Sequence, residues 1–281
     1  MTRTILITGC SSGIGLATAR MMRGRGWRVF ASCRRAEDCA SLAAEGFEAP
    51  LLDHADETSI EAALAEVLAA TGGRLDAVYV NGAYALPGAV ADVPRAALRE
   101  IFEANVFGVH DLVRRVLPVM LGQGHGRIVL CSSVLGIAGM RYRGPYVATK
   151  FAMEGLYDTL RLELMDLPGA KDIHVSLVEP GPIDTPIRVK SIPHFEKWIG
   201  WEGSAWRAVY EAQVIPRLRA PMPQKRGPVD LPPEAVARRV VHACEAARPK
   251  PRYFVTVATW GVEALRRLLT TRARDRLLRK G

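Results

Sequence analysis

Short apolar runs that alternate with helix-length periodic stretches leave this chain little freedom in how it folds. Residues 4–8 form an apolar run ending at Gly9, and helical spacing follows through Ile14, Ala17, Met21 and Met22. Residues 27–33 read as a second strand and 49–52 as a weak third, and 58–70 carry Ile60, Leu64, Val67 and Leu68 on one helical face. Residues 75–80, 127–131 and 174–178 give three more strands, separated by stretches of about 25 and about 20 residues with helical period. Residues 252–257 supply a seventh strand. Strands returned by helices pair in parallel, because each return to the same edge needs a crossover. Near-continuous apolar character at 78–80 and 128–130 fits strands covered on both faces. The expectation is an α/β single domain spanning 1–281, a doubly wound, mostly parallel sheet of about seven strands with helices on both faces.

With 281 residues the chain can bury a full core. Its net charge of +9 raises the question of an anionic partner. The excess is partly terminal: 261–281 hold Arg266, Arg267, Arg272, Arg274, Arg276, Arg279 and Lys280 against Glu263 and Asp275. No helix-turn-helix, finger or RNA-binding signature accompanies it, so nucleic acid is not an expected partner and the tail reads as a solvated face. No apolar run approaches the roughly 20 residues that cross a bilayer, and the first one is stopped by Gly9 too soon for a signal peptide. The expected location is the cytoplasm. Five cysteines, scattered and never in a C-x-x-C pair, read as buried small residues and not as disulfides or a zinc site, and no metal is expected. Cys10 and Cys33 fall at strand ends, where a reactive role competes with ordinary packing.

After the sixth strand the rhythm breaks. The 186–231 insertion contains Pro193, Pro216, Pro221, Pro223 and Pro228 with Trp198, Trp201 and Trp206, and its aromatic content argues against disorder. A helix restarts at Pro232-Pro233-Glu234. Residues 259–281 form basic amphipathic helices in which Val262, Leu265, Leu268, Leu269, Leu277 and Leu278 mix with arginines. That stripe packs on the domain or a sister subunit, or touches a membrane surface peripherally.

The first strand runs into Thr8-Gly9-Cys10-Ser11-Ser12-Gly13-Ile14-Gly15. Glycines there allow a tight turn and a close approach by a pyrophosphate, and the helix that follows offers unpaired N–H groups. The T-G-x-x-x-G-x-G pattern, placed after a first strand, resembles that of the short-chain dehydrogenase/reductase family, ordinary branch, over roughly residues 3–185. The resemblance implies a Rossmann-like fold and a nicotinamide dinucleotide held by Thr8, Gly9, Ser11, Ser12, Gly13, Ile14 and Gly15. The second strand ends at Cys33-Arg34-Arg35 with no carboxylate before Glu37. A guanidinium suits the 2′-phosphate of NADP, so NADP(H) is expected through Arg34, assisted by Arg35, with NAD(H) possible; alternatively both arginines only start the next helix. By the resemblance Asp53 binds the adenine amino group, unless it serves helix capping. Asn81, Gly82 and Ala83 stand where the family has N-N-A-G; Gly82 and Tyr84 depart from it.

Tyr146 and Lys150 are four apart on one helix, so the ammonium reaches the phenol's surroundings. A free tyrosine pKa of about 10 is too high for proton transfer near neutrality, and a neighbouring cation lowers it. Ser133, 13 residues before Tyr146, matches the family's serine, whose hydroxyl polarises a carbonyl. Asn105, a poor mid-helix residue, is by resemblance the anchor of a water joining Lys150 to solvent. Pro180-Gly181-Pro182-Ile183-Asp184-Thr185 resembles P-G-x-x-x-T, through which the family contacts the nicotinamide carboxamide by Pro180, Gly181, Ile183 and Thr185. The resemblance therefore implies a carbonyl reductase or alcohol dehydrogenase, a homodimer or homotetramer. Phe195, Trp198, Ile199, Trp201 and Trp206 either line an apolar pocket for a lipophilic ketone, aldehyde, steroid-like or retinoid-like alcohol, or pin the insertion to the core. Two alternatives stand beside this reading: a catalytically silent cofactor-binding module, and an extended-branch epimerase or dehydratase.

Overall fold

The computed structural model describes residues 2–220 and 230–279. Among them, β1 (Thr4–Ile7), β2 (Arg28–Ala31), β3 (Ala77–Val80), β4 (His125–Cys131), β5 (Asp172–Glu179) and β6 (Arg252–Phe254) form one sheet. Every pairing is parallel, in the order β2-β1-β3-β4-β5-β6. The weak strand expected at 49–52 is no strand; the segment makes only the isolated bridges Phe30↔Glu48 and Cys33↔Leu51. Pro50 between them has no N–H to give a ladder. Residues 221–229, with Pro221, Pro223 and Pro228 of the insertion, and Lys280 in the tail lie outside the described residues.

Side-chain alternation sorts the core. Ile5 and Ile7 face one side with α1 (Gly13–Gly24), α2 (Ala36–Ala44) and, later, Val236 and Val240 of the helix after the insertion. Leu6, Val78 and Val80 face the other side, against α3 (Glu57–Thr71) and the two longest helices. The long helix expected after β3 is α4 (Arg95–Phe102) and α5 (Gly108–Gln123), joined by a π turn over Glu103–Phe107. The other long one is α6 (Gly144–Glu163), which opens with Pro145 in its first turn.

The insertion is mostly helical: α7 (Ile187–Lys190), α8 (Ile192–Trp198), α9 (Arg207–Val209), a π turn over Tyr210–Val214, and α10 (Ile215–Arg219). Phe195, Ile199, Tyr210, Val214 and Leu218 form a third core with Tyr84, Leu86 and Ile101. Trp198 and Trp201 pack against it, while Trp206 is exposed. These aromatics pin the insertion down. The chain then returns through α11 (Pro233–Glu245) to β6, and ends in α12 (Val257–Leu268) and α13 (Thr271–Leu278). None of the described helices is long and apolar enough to cross a membrane.

α5 begins where backbone meets backbone. A Cβ on Gly108 would stand 1.7 Å from the His54 carbonyl oxygen, and that carbonyl belongs to the loop before α3 and cannot swing aside. Gly108→Ala is expected to destabilise the fold by about 1–3 kcal/mol or more in urea titration. Gly24→Ala, where a Cβ would meet nothing within 4 Å, should be neutral or stabilising by up to about 1 kcal/mol.

Candidate active site

The sheet order reverses between β1 and β3, and the loops that leave these strands meet at their carboxyl ends. A Cβ on Gly9 would lie 2.8 Å from Gly82 Cα, and one on Gly15 only 2.3 Å from the Gly9 carbonyl oxygen. Gly9 and Gly13 have φ of +70° and +59°, the left-handed region that favours glycine. The Thr8 hydroxyl accepts from the backbone N–H groups of Asn81 and Gly82 at 3.0 and 3.1 Å, and Asn81 Nδ2 donates back to the Thr8 carbonyl at 3.2 Å. Thr185 returns from the end of β5 to close the cradle: a Cβ on Gly13 would sit 3.1 Å from its methyl group. Pro180 accepts from Val134 N, and Gly181 is held where a Cβ would strike Thr256 Oγ1. Ile183 bridges to Leu231.

This cradle suits an anion. Ser12 is the N-cap of α1, yet no side chain caps the helix, which leaves its first-turn N–H groups without a side-chain acceptor. Lys190, at the end of α7, donates instead to the hydroxyls of Ser12 (2.7 Å) and Ser11 (3.2 Å). Burial lowers the Lys190 pKa; Asp38 works against this, and Arg34 and Arg35 add to it. Arg34 is exposed with no hydrogen bond or ion pair among the described residues. Arg35 is engaged, 2.8 Å from Asp38 and 3.3 Å from Glu37. Asp53 accepts from Ala55 N at 3.0 Å, while Asp56 does the helix capping. The residues present therefore fit a dinucleotide: a glycine cradle that a Cβ would fill, an uncapped helix start and a cluster of cations.

The two departures beside Asn81 have physical reasons. A Cβ on Gly82 would crowd His54 Cε1 at 3.1 Å, so the buried His54 fills the space. Burial pushes that imidazole down to a pKa of about 4. Tyr84 stacks on His194 of α8, with ring centroids 3.9 Å apart. Ala83 lies between them in the loop.

Asn105 sits in the π turn, fully buried. Its Oδ1 accepts from Tyr84 N at 3.1 Å, and its Nδ2 donates to Tyr84 O at 2.9 Å and to Thr149 Oγ1 at 3.3 Å. Thr149 in turn donates to Tyr146 O at 2.8 Å. The α-helix thus widens by one residue where a side chain must turn inward. Lys150, 2% exposed, has its ammonium 5.4 Å from the centre of the Tyr146 ring and donates to Cys131 O at 2.6 Å. Ser133 follows β4 and accepts from Leu135 N at 3.1 Å. Burial holds the Tyr146 phenol well above its ordinary pKa; the Ser133 hydroxyl, and then the Arg143 charge, work to lower it. Lys150 is not among the groups that lower it.

With this geometry, a family model described as short chain dehydrogenase matches residues 3–194. The chain is a short-chain dehydrogenase. It is 38% identical over 278 residues, 99% of this chain and 94% of the other, to the uncharacterised oxidoreductase YbbO of Escherichia coli (strain K12). It is 34% identical over 189 residues, 65% of this chain and 60% of the other, to human retinol dehydrogenase 8. A crystal structure of a variant of actinorhodin polyketide ketoreductase with NADPH superposes at a TM-score of 0.71, with 29% identity, covering 90% of this chain and 95% of that one. As a member of this family the chain is an NAD(P)-dependent enzyme acting on CH–OH and C=O groups.

Three residues of this short-chain dehydrogenase that the fold brings to the site, Lys190, His194 and Arg143, carry no signal in the sequence. Each comes from the insertion or a loop whose path no periodicity records. All five cysteines are buried and free, and burial pushes Cys33 up to about 12, which makes it a poor thiolate.

Behind Lys150, Ser132 donates to Glu154, and Arg252 of β6 joins Glu154, Asp158 and Glu179. Glu179 is fully buried, and its Oε2 has no hydrogen-bond partner among the described residues. Burial, and then the Glu154 charge, raise its pKa from 4.5 to about 8. The folded protein therefore keeps a proton that the unfolded chain releases, so stability from this group is complete below pH 4.5 and is lost as pH rises through about 8. Thermal unfolding midpoints should fall from pH 5 to 8, and fall less in Glu179→Gln; parallel profiles would place the proton elsewhere.

Proposed function

We propose that the chain exchanges hydride equivalents between NADP(H) and a lipophilic carbonyl or alcohol, with Tyr146 as the proton donor and acceptor. The observation that carries this reading is Tyr146 itself: a buried phenol beside Ser133 and within reach of the Lys150 ammonium. The nicotinamide, when bound, supplies or accepts the hydride. Tyr146 hands its phenolic proton to the substrate oxygen during reduction and takes it back during oxidation. The Ser133 hydroxyl donates a hydrogen bond to the same oxygen and polarises the carbon. Lys150 holds the cofactor ribose, and the charge of the oxidised ring, added to the Ser133 hydroxyl and the Arg143 charge, brings the phenol toward neutrality. Asn105 and Thr149 fix the backbone of α6 at Tyr146. Tyr146→Phe is expected to lower kcat by about 10²–10⁴-fold while NADPH binding, read by nicotinamide fluorescence, survives. Retained turnover would sink the assignment.

For cofactor choice, Lys190 holds Ser11 and Ser12, Arg34 lies within electrostatic reach of Lys190, and the chain leaving β2 has no carboxylate before Glu37 to grip ribose hydroxyls. NADPH is also bound in the similar ketoreductase. Arg34→Ala and Lys190→Ala should each raise KM for NADPH about tenfold, with a much smaller change for NADH. Equal changes for the two cofactors would count against the phosphate role. The lipophilic substrate reading rests on the apolar cluster of Leu86, Ile199 and Val214 that packs against Tyr146, and on similarity to a retinol dehydrogenase. Cytoplasmic location, a homodimer or homotetramer, and peripheral membrane contact through the basic tail belong to the same proposal.

A further inference from the structure

Arg143 stands three residues before Tyr146, at the N-cap of α6. It is half-buried, and no hydrogen bond or ion pair holds its guanidinium among the described residues. Several other half-buried arginines are satisfied: Arg115, Arg161 and Arg252 by carboxylates, and Arg127 by the Gly126 and Asp172 carbonyls. A desolvated guanidinium cannot shed its proton, so it needs acceptor oxygens, and an anion supplies both acceptors and charge.

Arg143 lines a cavity of about 70 Å³ together with Arg141, Tyr142, Gln213 and Arg217. Its lining holds three guanidinium groups and no carboxylate. Burial, and then the like charges of Arg217 and Arg188, push the Arg143 pKa down. Arg188 donates to the Arg217 carbonyl at 2.7 Å, which ties α7 to α10 at this point. The cavity has room for a small charged headgroup. The backbone is also distorted to make the cavity. Tyr142, with φ of +60°, is the one non-glycine residue in the left-handed region among those described. A bulky residue there costs about 1–3 kcal/mol and collects at functional sites. The strained turn is held by Gly88 N donating to Tyr142 O at 3.0 Å.

We propose that Arg143 and Arg217 bind an oxyanionic group carried by the substrate, so that the lipophilic carbonyl or alcohol is one end of an anionic amphiphile. This rests on Tyr146 being the acid–base residue: it follows Arg143 by three residues, about one turn along α6, and the two groups interact electrostatically. Carboxylate, sulfonate and phosphate monoester share the required chemistry, two acceptor oxygens for a planar fork of N–H donors.

Calorimetric titration of the full chain tests this without turnover. NADP⁺ is present throughout, so that the cations of the cofactor site are engaged. Octanoate, octanesulfonate and octyl phosphate are compared with octanol. At least one anion is expected to bind about tenfold or more tightly than octanol, and the best of the three names the headgroup. In Arg143→Gln and in Arg217→Ala that preference should collapse, and in Arg143→Lys part of it should remain. Arg217 is exposed, so its variant keeps the test alive if Arg143→Gln does not fold. Octanol binding as tightly as every anion, or a preference untouched in both variants, overturns the proposal. Failure of the Tyr146 reading is separate: it shows as turnover in Tyr146→Phe, whatever the anions do.

Discussion

Gly15 lies so near the Gly9 carbonyl that a Cβ would stand 2.3 Å from its oxygen, and a Cβ on Gly9 would stand 2.8 Å from Gly82 Cα. These contacts draw the first turn of α1 under the ends of β1 and β3. No side chain is small enough to replace hydrogen at those points, because the neighbouring atoms belong to backbone that cannot swing aside. The uncapped amide groups of α1 face the crevice as a result. Thr185 and Lys190 then reach it from the other side, because the chain leaving β5 has only that crevice to cross.

Tyr84 is the second organiser. Its backbone N–H and carbonyl both pair with the Asn105 side chain, and its ring lies flat on His194. One residue thus joins the π turn, the cofactor loop and the insertion. The π turn is the local cost of aiming Asn105 inward, and Thr149 carries the order on to the backbone of Tyr146. Phe195, Trp198, Trp201 and Tyr210 of the insertion complete a small core of their own, and Trp206 stays at the surface.

Much of this was legible in the sequence, because parallel strands buried on both faces leave unbroken apolar runs and glycine cradles leave fixed spacings. β1, β3, β4 and β5 were visible for that reason. The segment at 49–52 looked like a strand by composition, but Pro50 lacks the N–H that a ladder needs. Asn105 announced itself as an oddity within a helix, without announcing a π turn. Lys190, Arg143 and His194 could not be read, since their roles depend on where a proline-rich, aperiodic stretch folds back, and no local rule fixes that path. The Tyr146–Lys150 pair was legible as a spacing, whereas the direction of the phenol's pKa was not. Burial depends on the whole fold, and it outweighs the neighbouring charge.

The Arg252 network bears on where this domain ends. The family match stops at residue 194, but one guanidinium on β6 neutralises carboxylates from both α6 and β5. Without that cation, Glu154 would stand beside the buried Glu179 without its counter-charge, in a space too dry for unpaired carboxylates. The helix that bears Tyr146 and Lys150 is therefore anchored by a residue more than fifty positions beyond the matched segment. A fragment trimmed to that boundary would keep every catalytic side chain and lose the counter-charge that holds their helix against the sheet.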